Sequence, residues 1–224
     1  MRPWMLEAPR VKLPESAVQA FERAWSEHDL TALPDGVPRW LFLEWLAGRG
    51  LLLHGSPHTS LTELVPRDHD YAQPDDFSNT IGVYATSDAL WAMMYAFRSP
   101  NVAQQSDMAL RQWEDGQWSP MRYFYSVAPL ASEVTDARTL LQPGAVYVLS
   151  RSGFRQSPAY EHGGLGLVLE AHWVNPKPVR PLMIVPVYPA DFPLPVRLHD
   201  AARVKALSYS APWGFPWLEP ETPT

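Results

Sequence analysis

Residues 51–56 read Leu-Leu-Leu-His-Gly-Ser, with Pro57 directly after them. A short apolar run that stops at a Gly-Ser-Pro turn predicts a buried strand over Leu51–His54. Just before it, Pro38 to Ala47 reads as a helix closed by Gly48 and Gly50. Earlier still, Pro14-Glu15-Ser16 opens an amphipathic helix running to about His28, with Val18, Phe21 and Trp25 on one side. On the other flank, residues 66–80 are polar and acid-rich (Asp68, Asp70, Asp75, Asp76) and read as a loop. Ile81–Ala85 predicts a second strand. Thr86 or Ser87 is expected to cap the helix after it, with Asp88 in the first turn favoured by the dipole. That helix carries Leu90, Trp91, Met94 and Tyr95 and ends near Arg98.

The stretch 99–119 reads as a long loop. Beyond it the chain is strand-rich, with apolar or alternating runs at Tyr123–Val127, Ala145–Leu149, Leu165–Glu170 and Leu182–Tyr188. A helix is expected near Ser132–Leu141 and another at His199–Leu207. The tail beyond Tyr209, with Trp213, Phe215 and Trp217 among prolines, reads as irregular and docked by its aromatics. The order helix, strand, strand, helix, then several strands lacks the alternation of a doubly wound sheet. It predicts an α+β domain with two small antiparallel sheets. Residues 1–50 form a helical N-terminal segment, 51–190 the core and 191–224 a proline- and aromatic-rich extension, all in one domain.

With 46% apolar residues, the 224-residue chain has ample material for a core. The formal net charge of −6 gives no broad drive toward nucleic acid. The absence of cysteine excludes disulfides, thiolate nucleophiles and Cys-ligated zinc. Met1 to Glu7 holds no apolar segment of the signal-peptide kind, and no apolar run approaches the ~20 residues of a membrane span. The expectation is a cytoplasmic monomer with no membrane partner, unless a specialised route exports it.

Two segments stand out together: Leu51–Ser56, and Gly82-Val83-Tyr84-Ala85-Thr86 with the helix bearing Ala92 and Tyr95. The pair resembles the nicotinamide-side motifs of the ADP-ribosyltransferase superfamily, in its His-Tyr-Glu branch of poly-ADP-ribose polymerases and diphtheria-type toxins. The likeness spans roughly residues 50–98 and extends to the later strands in outline. It implies an ADP-ribosyltransferase-like split of two antiparallel sheets. NAD is the implied co-substrate, bound by His54, Gly55, Ser56, Tyr84, Thr86 and Tyr95. His54 would hydrogen-bond a ribose hydroxyl. Tyr84 and Tyr95 would sandwich the cationic nicotinamide, a contact worth on the order of 1–2 kcal/mol when desolvated. Gly55, without a side chain, would let its backbone approach the carboxamide.

The same resemblance implies a catalytic glutamate on a later strand, acting with His54 and Tyr84. Cleavage of the nicotinamide–ribose bond passes through an oxocarbenium-like state, as in glycoside hydrolysis. The family shows Glu or Gln, one residue, then Glu. Here Leu169-Glu170-Ala171-His172-Trp173 puts Glu170 at the first position and His172 at the second. Glu170 is the candidate acid, and Glu161 in the preceding loop is the alternative. Ala92 stands where polymerase members tend to carry serine.

Each motif also has a plain structural role: a turn at a strand end, a strand-end tyrosine, a core stripe on a helix. Three enzyme readings follow from the resemblance. The first is a mono-ADP-ribosyltransferase whose acceptor is a protein side chain, a small molecule or a nucleic-acid end. The others are an NAD glycohydrolase and, with Arg67 and Arg98 near the motif, an RNA 2′-phosphotransferase. A binding module that keeps NAD without turnover is the reading from a different class. His54 and His58 lie ~13 Å apart on an extended chain, too far for one metal ion. Asp68-His69-Asp70 reads as a solvated loop, Gly163–Gly166 as a turn, and no Gly-x-Ser-x-Gly elbow is present.

Overall fold

A computed structural model describes residues 5–67, 76–131 and 133–217. The elements in chain order begin β1 (Leu6–Glu7), α1 (Glu15–Glu27), α2 (Arg39–Ala47), β2 (Leu52–Ser56), β3 (Val83–Thr86), α3 (Ala89–Ala96). They continue β4 (Val102–Glu114), β5 (Gln117–Trp118), β6 (Arg122–Pro129), β7 (Gly144–Leu149), β8 (Arg155–Gln156), β9 (Tyr160–His162). The last are β10 (Gly166–Glu170), β11 (His172–Asn175), β12 (Met183–Val187), β13 (Arg197–Leu198) and α4 (Ala201–Ser210). This is an α+β arrangement of helices and two sheets. The first sheet runs β1-β6-β4-β10-β9, with β5 beside β4 and β13 beside β6; the second runs β12-β7-β2-β3-β11-β8. Every pairing between these strands is antiparallel except β13 with β6. Among the described residues no helix is long and apolar enough to cross a membrane.

The helix α1 buries Ala17, Ala20, Phe21 and Ala24, an i, i+3, i+4, i+7 stripe, against α2. Val18 and Trp25, expected on that face, flank it. Five of the nine residues of α2 are buried, and its Phe42 ring lies 5.3 Å from Phe21. The helix α3 is nearly all apolar and inside. Its cap is Asp88 rather than Thr86 or Ser87: the Asp88 carboxylate accepts Trp91 N–H at 2.8 Å, while Thr86 Oγ1 accepts the Asp88 N–H. Its C-terminal half lies directly on the second sheet. A Cβ on Gly55 would fall 1.7 Å from Ala92 O, and one on Gly144 would fall 2.0 Å from Ala96 O. Glycine at these two positions lets helix backbone touch strand backbone.

Residues 99–119, expected as a loop, instead form β4 and the hairpin to β5. Ser106 and Gln112 are buried in β4 although polar, and the strand begins with an irregularity between Val102 and Gln104. The helix expected over 132–141 is one turn of 3-10 helix, Ala137–Leu140; Ser132 is outside the described residues. Asp68-His69-Asp70 and the end of the tail also lie outside them.

Register sorts the second sheet into two faces. Antiparallel partners share a face and residues alternate along each strand. From Leu53↔Thr86, Tyr84↔Val174 and Thr86↔His172, the α3 face carries Leu53, Gly55, Tyr84, Thr86, His172 and Val174. From His54↔Tyr147 and Ser56↔Ala145, His54 and Ser56 take the opposite face.

Candidate functional site

Tyr84 and His172 are diagonal neighbours across β3 and β11, and their rings lie 4.9 Å apart. Trp91 on α3 approaches His172 at 5.0 Å, and Tyr95, one turn later, lies 6.5 Å from Trp91. The two predicted tyrosines are thus linked through His172 and Trp91 in one aromatic row, rather than opposed as a simple sandwich. Tyr95 is its exposed end at 44%. Phe77, from the preceding loop, packs on both Tyr84 and His172, at 6.3 and 5.3 Å.

The Tyr84 hydroxyl is engaged. Carbonyls of Phe77, Ser78 and Thr80 converge on it at 3.0, 3.0 and 2.6 Å. Its O–H therefore holds residues 77–80 against β3. Arg155 adds a second hold, its guanidinium 5.0 Å over the Phe77 ring.

His54 meets this row through backbone only. Its Nδ1–H donates to Tyr84 O at 2.6 Å, across the gap where β2 and β3 part after their single pair, Leu53↔Thr86. That carbonyl fixes the ring proton on Nδ1 and leaves Nε2 as an acceptor. Burial holds the imidazole below its usual pKa and the nearby Arg67 charge adds to this, against the opposing Tyr84 bond. Ser56 and Thr86 are both buried, and their hydroxyls accept the backbone N–H of His58 and Asp88. Gly55 is covered by α3, so its missing side chain has a packing cause.

Glu170 and His172 fall on different strands of different sheets. Between them Ala171 joins the sheets: its N–H donates to Ala109 O of β4, and its carbonyl accepts Ser87 N–H beside β3. The two side chains meet nonetheless, with His172 Nδ1 3.6 Å from Glu170 Oε2 and side chains 18% and 22% exposed. The other carboxylate oxygen accepts the Tyr160 hydroxyl at 2.6 Å. Burial alone would raise the Glu170 carboxyl, but the His172 contact and charge, the Tyr160 bond and the His162 charge outweigh it and hold the group below the carboxylate range. Glu161, the alternative acid, sits exposed on edge strand β9 opposite Leu167.

Asp107 was missed with the rest of β4. It accepts Trp91 Nε1–H at 2.6 Å and Gln105 Nε2–H at 2.8 Å, and bonds the Tyr95 hydroxyl. Burial raises its carboxyl, more than these donors and the His172 charge lower it. The only sequence signal was the Gln-x-Asp alternation of Gln105 and Asp107, hidden in a stretch read as loop.

A groove of about 430 Å³ lies between Gly163–Gly164 and Trp213–Phe215, and its Trp213 ring stands 5.9 Å from Tyr160. It shares no lining residue with the aromatic row. Size alone does not outweigh the convergence of aromatic rings and carboxylates at the row. Comparison with known proteins finds no matching family model, curated protein or solved structure.

Proposed function

We propose that this chain is an NAD-dependent mono-ADP-ribosyltransferase that releases nicotinamide from the gap between β2 and β3. The contact chain Tyr84–His172–Glu170 supports this reading: an aromatic face suited to a flat cation stands beside a polar pair suited to a developing oxocarbenium charge. The nicotinamide end lies on the α3 face along Tyr84, Trp91 and Tyr95. The chain of the dinucleotide crosses to the other face, where His54 Nε2 accepts a ribose hydroxyl. Arg67, whose charge reaches His54, faces the pyrophosphate. His54, Gly55, Ser56, Tyr84, Thr86 and Tyr95 are the binding set of this reading, with Gly55, Ser56 and Thr86 shaping backbone rather than touching ligand.

The test is incubation of the full chain with NAD and mass spectrometry of the products. Nicotinamide together with ADP-ribose or an ADP-ribosyl adduct is the expected result. NAD left intact with protein, small-molecule and nucleic-acid acceptors defeats the transferase reading and the glycohydrolase reading together. A second reading, a module that binds NAD without turnover, is favoured by one feature: an imidazole, not a carboxylate, touches the Tyr84 ring. Calorimetric binding of NAD with no cleavage is its signature.

A further inference from the structure

Resting on the NAD reading, we infer that His172 is the catalytic base that activates an oxygen acceptor, and that Glu170 and Tyr160 are positioning residues acting through it. The arrangement is a three-member chain. Tyr160 O–H donates to Glu170 Oε1 at 2.6 Å, and Glu170 Oε2 stands 3.6 Å from His172 Nδ1. The last distance is just beyond a hydrogen bond, a common state of catalytic contacts before ligand binds. His172 Nδ1 is sealed from solvent and makes no hydrogen bond to any other group. Among its neighbours the Glu170 carboxylate is the acceptor within ion-pair reach, so the neutral ring carries its proton on Nδ1. Nε2 is left with a free lone pair on the nitrogen turned away from Glu170.

The local fold explains why the three groups converge. Tyr160 pairs with Val168, so Tyr160 and Glu170 are diagonal neighbours on one face of the β9–β10 ladder. Ala171 then carries the chain from one sheet to the other, and His172 arrives beside Tyr84 with the carboxylate behind it. Phe77 and Trp91 hold the imidazole from two further sides, at 5.3 and 5.0 Å. A base gripped on several sides and backed by a carboxylate is the arrangement by which a weak oxygen nucleophile is activated.

The step balances without a further reactant. The bond from the nicotinamide nitrogen to ribose C1′ breaks, and its electron pair leaves with the nitrogen, neutralising the pyridinium. An oxygen lone pair of the acceptor forms the new bond to C1′. The acceptor proton passes to His172 Nε2, Glu170 balances the resulting imidazolium, and the proton then leaves to water. The acceptor class is therefore a neutral hydroxyl, or water itself.

Two measurements on the full chain test this. The first uses 15N NMR of the His172 ring. The expected signature is an Nδ1–H tautomer in the wild type that shifts toward Nε2–H in Glu170→Gln; an Nε2–H tautomer in the wild type overturns the relay whether or not NAD is a substrate. The second follows nicotinamide release from NAD with methanol present as a probe hydroxyl. The wild type should give ADP-ribose and its methyl glycoside. At saturating NAD, His172→Gln should slow release by on the order of 100-fold or more, and Glu170→Gln should lower kcat roughly tenfold with KM unchanged. His172→Gln turning over as fast as wild type overturns the base assignment alone. A wild type that binds NAD without releasing nicotinamide also overturns it, and calorimetry separates that result from failure of the NAD site, in which no binding is seen.

Discussion

The carboxylate of Glu170 and the imidazole of His172 meet at 3.6 Å, although Glu170 ends a strand of one sheet and His172 begins a strand of the other. The contact joins the sheets chemically at the point where Ala171 joins them covalently.

The first prediction concerns acid stability. The folded-state pKa of Glu170 is lowered, so the folded chain binds that proton more weakly than the unfolded chain. Its contribution is present above the ordinary carboxylate pKa and is lost as pH falls through the folded value. Asp107 is raised, so its contribution is present below the ordinary value and is lost as pH rises through the folded one. Urea unfolding from pH 3 to 7 should therefore show the deficit of Glu170→Gln shrinking toward acid. The balance should move in favour of Asp107→Asn, relative to wild type, as pH rises. Parallel pH dependences for the two variants would contradict the assigned environments.

A second prediction concerns the seat of α3. In Gly55→Ala the new methyl meets Ala92 O at 1.7 Å, and the obstacle is helix backbone rather than a flexible side chain. Overpacking of this kind costs about 3 kcal/mol, a fall in Tm of roughly 6–12 °C for a chain of this size. Differential scanning calorimetry reads it directly. A change under about 2 °C would mean that α3 does not rest on β2 as described.

The site was legible in the sequence where chemistry and local pattern coincide. Leu51–Ser56 and Gly82–Thr86 are short runs ending in distinctive turns, and each lies on a strand of the same sheet. Which face each residue takes was not legible. His54 and Tyr84 lie on opposite faces because strand pairing, a long-range fact, sets the register. The split at Ala171 was hidden for a related reason: Leu169–Trp173 reads as part of one strand, and a buried alanine gives no sign of a change of sheet. β4 escaped because Gln104, Gln105, Ser106 and Asp107 suggest solvent, whereas Asp107 faces the donors of Trp91, Gln105 and Tyr95, and Ser106 is buried. Propensity read along one strand does not reveal such partners.

A third prediction separates the ring of Tyr95 from its hydroxyl. The ring is the exposed end of the aromatic row, and the hydroxyl bonds Asp107. Loss of one cation–π face, about 1–2 kcal/mol, corresponds to a roughly tenfold weaker NAD affinity in Tyr95→Ala. Tyr95→Phe should stay within about twofold of wild type, since the stacking face remains. Isothermal titration of both folded variants decides it. Equal affinities for wild type and Tyr95→Ala would make Tyr95 a structural residue only.

The central claim, that NAD binds along the Tyr84–His172–Trp91 row, is tested most directly by the indole N–H signals in 1H–15N spectra. Trp91 Nε1–H donates to Asp107 in the row, whereas Trp45 packs on Phe21 and Phe42 between α1 and α2. The two signals are assigned by Trp91→Phe and Trp45→Phe. On titration with NAD, the Trp91 signal should shift in proportion to saturation while that of Trp45 stays in place. A shift of Trp45 with Trp91 unmoved, or no shift of either at saturating NAD, would contradict the account.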